Sequence, residues 1–172
     1  MKLSRHIFLI GFMGCGKSTV SRRLAEECDV KCMDTDVRIS DEQGMTISDI
    51  FEQKGEVFFR ELETELLKKL GEEEPKVIAC GGGMATFDRN IAIMKECGTV
   101  VLLMANPETI FERVRYGKNR PLLEGNMNVE YITELMNKRT PYYDRAADVT
   151  VVTDGRTPME IVQKIVEKLN DM

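Results

Sequence analysis

The sequence predicts an α/β fold in which a parallel sheet is covered by helices on both faces, and three observations carry that prediction. Short apolar runs alternate along the chain with longer amphipathic segments, the rhythm of strands alternating with helices. The runs are apolar throughout, as in strands buried on both faces. Gly11, Asp34, Gly81 and the segment after Met104 all fall at the carboxyl ends of these runs, where sheets of this kind bind their ligands.

Taken in order, HIFLIG is a buried strand ending at Gly11, and the glycine-rich stretch after it leads into KSTVSRRLAEEC. That segment is a helix with Val20, Leu24 and Ala25 on one face and charge opposite. VKCMDTD is a second strand, ending in acidic residues. MTISDIFEQKGEVFFRELETELLKKLG is helical with a break at Gly55; Thr46 and Asp49 have capping-box-like spacing, and Phe59, Leu62, Leu66 and Leu70 form a core stripe. KVIACGGG and TVVLLMA are strands separated by the helix DRNIAIMKECG. PETIFERVRYG is a helix with proline near its start, and GKNRPLLEGNMN has the residues of a mobile loop. VEYITELMNKRTPYYDRA is expected to be a helix that stops near Pro141, before a last strand DVTVVT and a last helix TPMEIVQKIVEKLN. With no internal repeat or low-complexity linker, residues 1–172 read as one domain.

A chain of 172 residues is long enough to bury a proper core. Hydrophobic content of 42% and charged content of 31% are those of a soluble globular protein. A net charge of −5 gives no general support for a nucleic-acid partner, so basic residues are read one by one as local anion sites. No stretch approaches the roughly 20 apolar residues needed to cross a bilayer. The opening MKLSRHIFLIGFMG is too short in its apolar part to read as a signal peptide, and it runs directly into the glycine motif. Five cysteines without a CxxC pair, and a single histidine, lack zinc spacing and fit reduced thiols in the cytoplasm. His6 opens an apolar run, where a structural role is expected. The eleven methionines read as core filler.

Residues 11–18, GFMGCGKS, match the phosphate-binding pattern G-x-x-x-x-G-K-S/T. The glycines let successive backbone N–H groups turn inward at a helix N-terminus and form a concave anion site. Gly14, Cys15, Gly16, Lys17, Ser18 and Thr19 are therefore expected around ATP, with Lys17 on the β- and γ-phosphates and the Ser18 hydroxyl on Mg²⁺. Alternation on an extended chain would point Asp34 and Asp36 the same way, towards that loop. Asp34 would then hold magnesium directly or through water, and Asp36 would approach an acceptor hydroxyl. Taken alone, the DTD triplet is a solvated acidic turn, and the neighbouring loop tips the balance.

Arg60 reads either as an anion site or as a helix charge paired with Glu63 or Glu56. Gly81, Gly82 and Gly83 would let a ligand approach bare backbone, or else make a tight turn. Arg120 sits in a glycine-bounded loop able to fold over a nucleotide and neutralise developing charge. Arg139 could satisfy carbonyls at a helix end, and Arg115 could be a surface charge.

With these residues in view, the chain resembles the shikimate kinase family over nearly its whole length. GFMGCGKST, DTD, GMTISDIFEQKGEVFFRELE, CGGG, RPLL and NKRTPYY occur in that family's order and approximate spacing. The central block (Gly44, Ile47, Ile50, Phe51, Gly55, Glu56, Phe59, Arg60, Glu63) separates it from gluconate kinases and nucleoside monophosphate kinases.

The resemblance implies a nucleotide-kinase-like fold with a five-stranded parallel sheet, an acceptor-binding region over about 34–63 and a lid over about 115–126. It implies Mg²⁺-dependent transfer from ATP to shikimate in aromatic amino-acid biosynthesis. By position, Asp36 would bond ring hydroxyls, Arg60 and Arg139 would grip the shikimate carboxylate, and Gly81–Gly83 would form a glycine wall. Lys17, Ser18 and Asp34 would serve phosphate and metal, and Arg120 would be the lid arginine. Arg115 would stack on adenine, with Arg156 and Pro158 in the segment closing its pocket. Ser21 and Cys80 depart from the family's commoner residues, and Cys80 is expected to alter the surroundings of the metal. A kinase for another small acceptor, or a nucleotide-binding module without turnover, remain the rival readings. A monomer without nucleic-acid or membrane partners is expected.

Overall fold

The computed structural model describes residues 2–115 and 128–172. The expected lid, about 115–126, and with it Arg120, lies outside the described residues apart from Arg115.

Every residue of β1 (His6–Ile10) is buried, as its unbroken apolar run requires. It is the middle of a five-stranded, all-parallel sheet ordered β2 (Lys31–Asp34), β3 (Lys76–Ala79), β1, β4 (Gly98–Met104), β5 (Val149–Val152). Phe8 registers with Ile78 on one side and Val100 on the other. The chain leaves β1 towards β2 yet later crosses to β4. The crevice beyond the carboxyl ends of β1 and β3 is therefore the topological switch point.

Seven helices occur among the described residues. In α1 (Lys17–Cys28), the residues Val20, Leu24 and Ala25 are buried, as the periodicity predicts. α3 (Ile47–Leu70) carries the expected break: Gly55 has φ 85° and ψ 166°, outside helical geometry. Thr46 caps that helix, its hydroxyl accepting from Asp49 N–H at 3.1 Å. Phe59, Leu66 and Leu70 are buried and Leu62 half-buried. α4 (Asp88–Cys97), α5 (Pro107–Val114) and α7 (Pro158–Asn170) fall where expected, α7 beginning at a capping box of Thr157 and Glu160.

Two elements differ from the sequence reading. The DTD triplet does not continue the second strand: α2 (Thr35–Gln43) begins immediately after Asp34. The Asp34 carboxylate caps it, Oδ1 accepting from the N–H groups of Asp36 at 3.0 Å and Val37 at 3.3 Å. An aspartate that satisfies two orphan helix donors starts a helix even before residues of modest propensity.

The second difference is α6 (Val129–Ala146), which runs through Pro141 instead of stopping there. Proline costs a helix one N–H and crowds the preceding turn. Pro141 is exposed, whereas Tyr143 and Ala146 of the next turn are buried, so core packing holds the helix beyond the break. Arg139 is accordingly a mid-helix residue.

His6 is structural. Its Nδ1 accepts from Lys76 N–H at 3.1 Å, which leaves the proton on Nε2, donated to the Leu70 carbonyl at 2.7 Å. All five cysteines are free. No helix among the described residues is long and apolar enough to cross a membrane.

Candidate active site

The turn after β1 is built by glycines in conformations other residues resist. Gly16, at φ 103°, is the residue before α1, and Gly11, at φ 141°, has no room for a Cβ against the Leu103 carbonyl. Lys17 lies back across this loop, donating to the carbonyls of Gly11 at 2.7 Å and Phe12 at 3.0 Å. Gly14, Cys15, Gly16, Lys17, Ser18 and Thr19 thus line one turn at a helix N-terminus, where the macrodipole favours an anion. Ser21, the first departure from the family pattern, is buried and donates to the Ser18 carbonyl at 3.1 Å.

Ser18 and Asp34 meet, the hydroxyl donating to Asp34 Oδ2 at 3.3 Å. One hydroxyl and one carboxylate oxygen, beside a phosphate loop, suit Mg²⁺, which keeps waters and takes its remaining ligands from phosphate. No cluster of three or more His, Cys, Asp or Glu that could hold a metal occurs among the described residues.

Three successive glycines follow β3, and each stands against polar side chains. A Cβ on Gly81 would sit 2.6 Å from Asp36 Oδ1 and 3.3 Å from Glu63 Oε1. One on Gly82 would sit 3.0 Å from Arg139 Nη1, and one on Gly83 would collide with the Arg60 guanidinium. None of the three has a positive φ, so glycine is required here for space and not for backbone conformation. The wall is tied down by Gly81 N–H donating to Thr35 Oγ1 at 2.9 Å and by Tyr143 OH donating to the Gly82 carbonyl at 2.6 Å.

Asp36, in the first turn of α2, points into this wall with Oδ1 buried and unpartnered. Burial and the neighbouring Asp34 raise its pKa, against the pull of Lys17 and Arg60. Arg60 bears out the ion-pair reading and also reaches the glycine wall. It pairs with Glu63 at 2.8 Å and Glu56 at 3.2 Å, yet its side chain is only 13% exposed and lies against Gly83. Arg139 reaches the same wall from α6, over the Phe12 ring at 5.6 Å. The side chains of α2, α3 and α6 thus converge on the three glycines, bringing two guanidinium groups and the Asp36 carboxylate together.

Cys80, just before the wall, is fully buried, and that burial pushes its thiol far up, so it stays neutral. Tyr143 is buried as well, which raises its phenol to about 12 against the opposing Arg139 charge.

On the nucleotide side, Arg113 of α5 donates to the Gly14 carbonyl at 3.1 Å and to Thr153 Oγ1 at 3.3 Å. Asp154 accepts from Asn106 N–H at 2.9 Å and Thr109 Oγ1 at 2.5 Å. These bonds bring α5 and the β5–α7 turn beside the phosphate loop. Arg115 is exposed and ion-paired with Glu112 at 3.1 Å. Arg156 donates to the Val152 carbonyl at 2.6 Å, and Pro158 opens α7.

Tyr143, Thr35 and Arg113 are the site residues the sequence reading passed over. Tyr143 stands four residues after Arg139, one helical turn, a signal hidden by ending the helix at Pro141. Thr35 sits unread inside DTD. Arg113 lies one residue before the buried Val114, a position that carries no signal of its own.

Comparison with known proteins agrees with this fold. The family model for shikimate kinase matches residues 13–170. A shikimate kinase of Persephonella marina is 41% identical over 165 residues, covering 96% of this chain and 99% of the relative. Among solved structures, shikimate kinase from Acinetobacter baumannii in complex with shikimate superposes with a TM-score of 0.91 at 36% identity, covering 97% of this chain and 93% of that one. The Aquifex aeolicus enzyme superposes at 0.84 with 38% identity, covering 96% of each chain.

Proposed function

The chain belongs to the shikimate kinase family, and we propose that the three glycines floor the acceptor's pocket, with Asp36, Arg60 and Arg139 as its polar contacts. The reaction is transfer of the ATP γ-phosphoryl group to the 3-hydroxyl of shikimate, giving shikimate 3-phosphate and ADP on the route to chorismate and aromatic amino acids.

The observation that carries the pocket assignment is the wall itself. Three glycines are each pressed by polar side chains, and those of Asp36, Arg60 and Arg139 suit an acid bearing several hydroxyls. Arg60 and Arg139 offer planar donors to a carboxylate, bringing the acid into register with one hydroxyl towards the phosphate loop. Asp36 accepts from that hydroxyl and orients it. Its raised pKa makes it a better proton acceptor, although a loose phosphoryl-transfer transition state asks little of a base. Lys17 exchanges the carbonyls of Gly11 and Phe12 for β- and γ-phosphate oxygens, within the loop of Gly14, Cys15, Gly16, Ser18 and Thr19. Ser18 and Asp34 hold Mg²⁺, which when bound neutralises phosphate charge. Arg115, Arg156 and Pro158 border the adenine, and Arg120 is the lid arginine that neutralises charge developing on the transferring phosphoryl group. Transfer is direct and in line, without a phosphoenzyme. The whole of 1–172 acts as one domain, a monomer in the cytoplasm that takes only small-molecule substrates.

The test is ADP production with MgATP in the presence of shikimate, gluconate or AMP. Stimulation by shikimate alone is expected; stimulation by gluconate or AMP instead would reassign the pocket.

A further inference from the structure

The phosphate-binding pattern fixes Gly11, Gly16, Lys17 and Ser18 and leaves position 12 open to any residue. Nucleotide binding therefore asks nothing of the Phe12 side chain. Yet its ring is only 4% exposed and belongs to the apolar core. Its backbone is pinned as well, the carbonyl accepting from Cys15 N–H at 3.3 Å and from Lys17 Nζ at 3.0 Å. The Arg139 guanidinium lies over this ring, 5.6 Å from its centroid. The same guanidinium reaches the glycine wall, where Nη1 stands 3.0 Å from the point a Gly82 Cβ would occupy.

The two arginines at the wall are held in different ways. Arg60 is paired with Glu63 and Glu56. Among the described residues Arg139 is in no ion pair. What it meets is neutral: the Phe12 ring, the Gly82 backbone, and near them Tyr143, whose hydroxyl donates to the Gly82 carbonyl at 2.6 Å. A long side chain without a fixed partner loses rotamer freedom when a ligand immobilises it. An aromatic face offsets that loss, because its quadrupole attracts the cation. Contact through the face also takes none of the in-plane N–H donors, which stay free for a planar carboxylate.

We infer that Phe12 is a positioning residue for the acceptor: its ring fixes the Arg139 guanidinium at the glycine wall with its donors free, and so sets the preference for a carboxylate over an uncharged group. The inference rests on the proposed reading that Arg139 meets the acceptor carboxylate. It gives the phosphate loop a second task, performed by a side chain that touches neither phosphate nor metal. The ring acts only through the charge of Arg139, so its electronic character matters as well as its bulk. Weakening the face should cost affinity for the acid and leave an uncharged analogue unaffected.

The experiment replaces Phe12 site-specifically by phenylalanines carrying one, two and three ring fluorines, which keep the shape of the ring while draining negative charge from its face. Shikimate and its methyl ester are titrated calorimetrically into each intact protein saturated with MgADP. The dissociation constant of the acid should rise stepwise with fluorination, by about 3- to 30-fold across the series, while that of the ester stays level. Phe12→Leu, apolar but without an aromatic face, should lose the preference for the acid to a similar extent. A wild-type protein that prefers the acid, with fluorinated forms that bind it undiminished, would overturn the inference and leave the ring a packing role alone. Equal losses for acid and ester would overturn it too, as would a leucine variant that keeps the full preference. A wild-type protein that does not prefer the acid would overturn the acceptor reading, and the inference with it.

Discussion

Replacing Gly81 by alanine isolates the steric argument for the pocket. The backbone at Gly81 is open to any L-residue, so no strain enters through φ. The new methyl carbon would stand 2.6 Å from Asp36 Oδ1, whereas unstrained heavy-atom contacts lie at about 3.5 Å or more. Asp36 must therefore retreat by about 1 Å. It has little freedom to do so, because Asp34 caps the first turn of α2 through the N–H groups of Asp36 and Val37. Overpacking of this kind costs about 1–3 kcal/mol. Carried by the acceptor complex, that cost raises the KM for shikimate about 5- to 150-fold. The phosphate loop is untouched, so the KM for ATP should stay within about twofold. Steady-state kinetics with each substrate varied in turn measures both. An unchanged shikimate KM, or an equal loss on the ATP side, would refute the reasoning.

Arg139→Lys keeps the charge but loses the planar pair of donors, and kcat/KM for shikimate should fall about 10- to 150-fold. Tyr143→Phe leaves the Gly82 carbonyl without its donor and should lower stability by about 1–2 kcal/mol in urea melts, with a raised shikimate KM. Glu63→Gln probes folding. The native pKa of about 7 lies above the 4.5 of a solvated glutamate in the unfolded chain, so the folded state binds more protons in that window. The stability Glu63 contributes is complete below about 4.5 and is lost as pH rises through about 7. Relative to wild type, the Gln variant should therefore gain up to about 3 kcal/mol between pH 4.5 and 8, read from denaturant melts at both ends.

Much of the architecture is written locally. HIFLI and GTVVLLM are continuous apolar runs because they form buried central strands, and α1 shows its core face through Val20, Leu24 and Ala25. The phosphate loop is legible because its backbone conformations demand glycine at fixed spacing. What escaped the sequence depends on contacts made at a distance or on competition between local signals. Asp34 has the residue type of both a strand-end ligand and a helix cap, and only the fold reveals that its two oxygens serve Ser18 and α2 together. Pro141 is a sound local stop signal, overridden by burial of Tyr143 and Ala146. Arg60 and Glu63 are legible as an ion pair at i,i+3, but the complete burial of Glu63 under the glycine wall is a tertiary fact. Arg113 is turned to Gly14 by the packing of α5, which no spacing in the chain announces.

The central claim is that Arg60 and Arg139 together hold the carboxylate of the acceptor. The most direct measurement compares binding of shikimate and its uncharged methyl ester to the wild-type protein, to Arg60→Lys and to Arg139→Lys. The account predicts that the wild type prefers the acid by about 1.5–3 kcal/mol and that each lysine variant loses much of that preference. An ester that binds the wild type as well as the acid does would contradict it, as would lysine variants that discriminate undiminished.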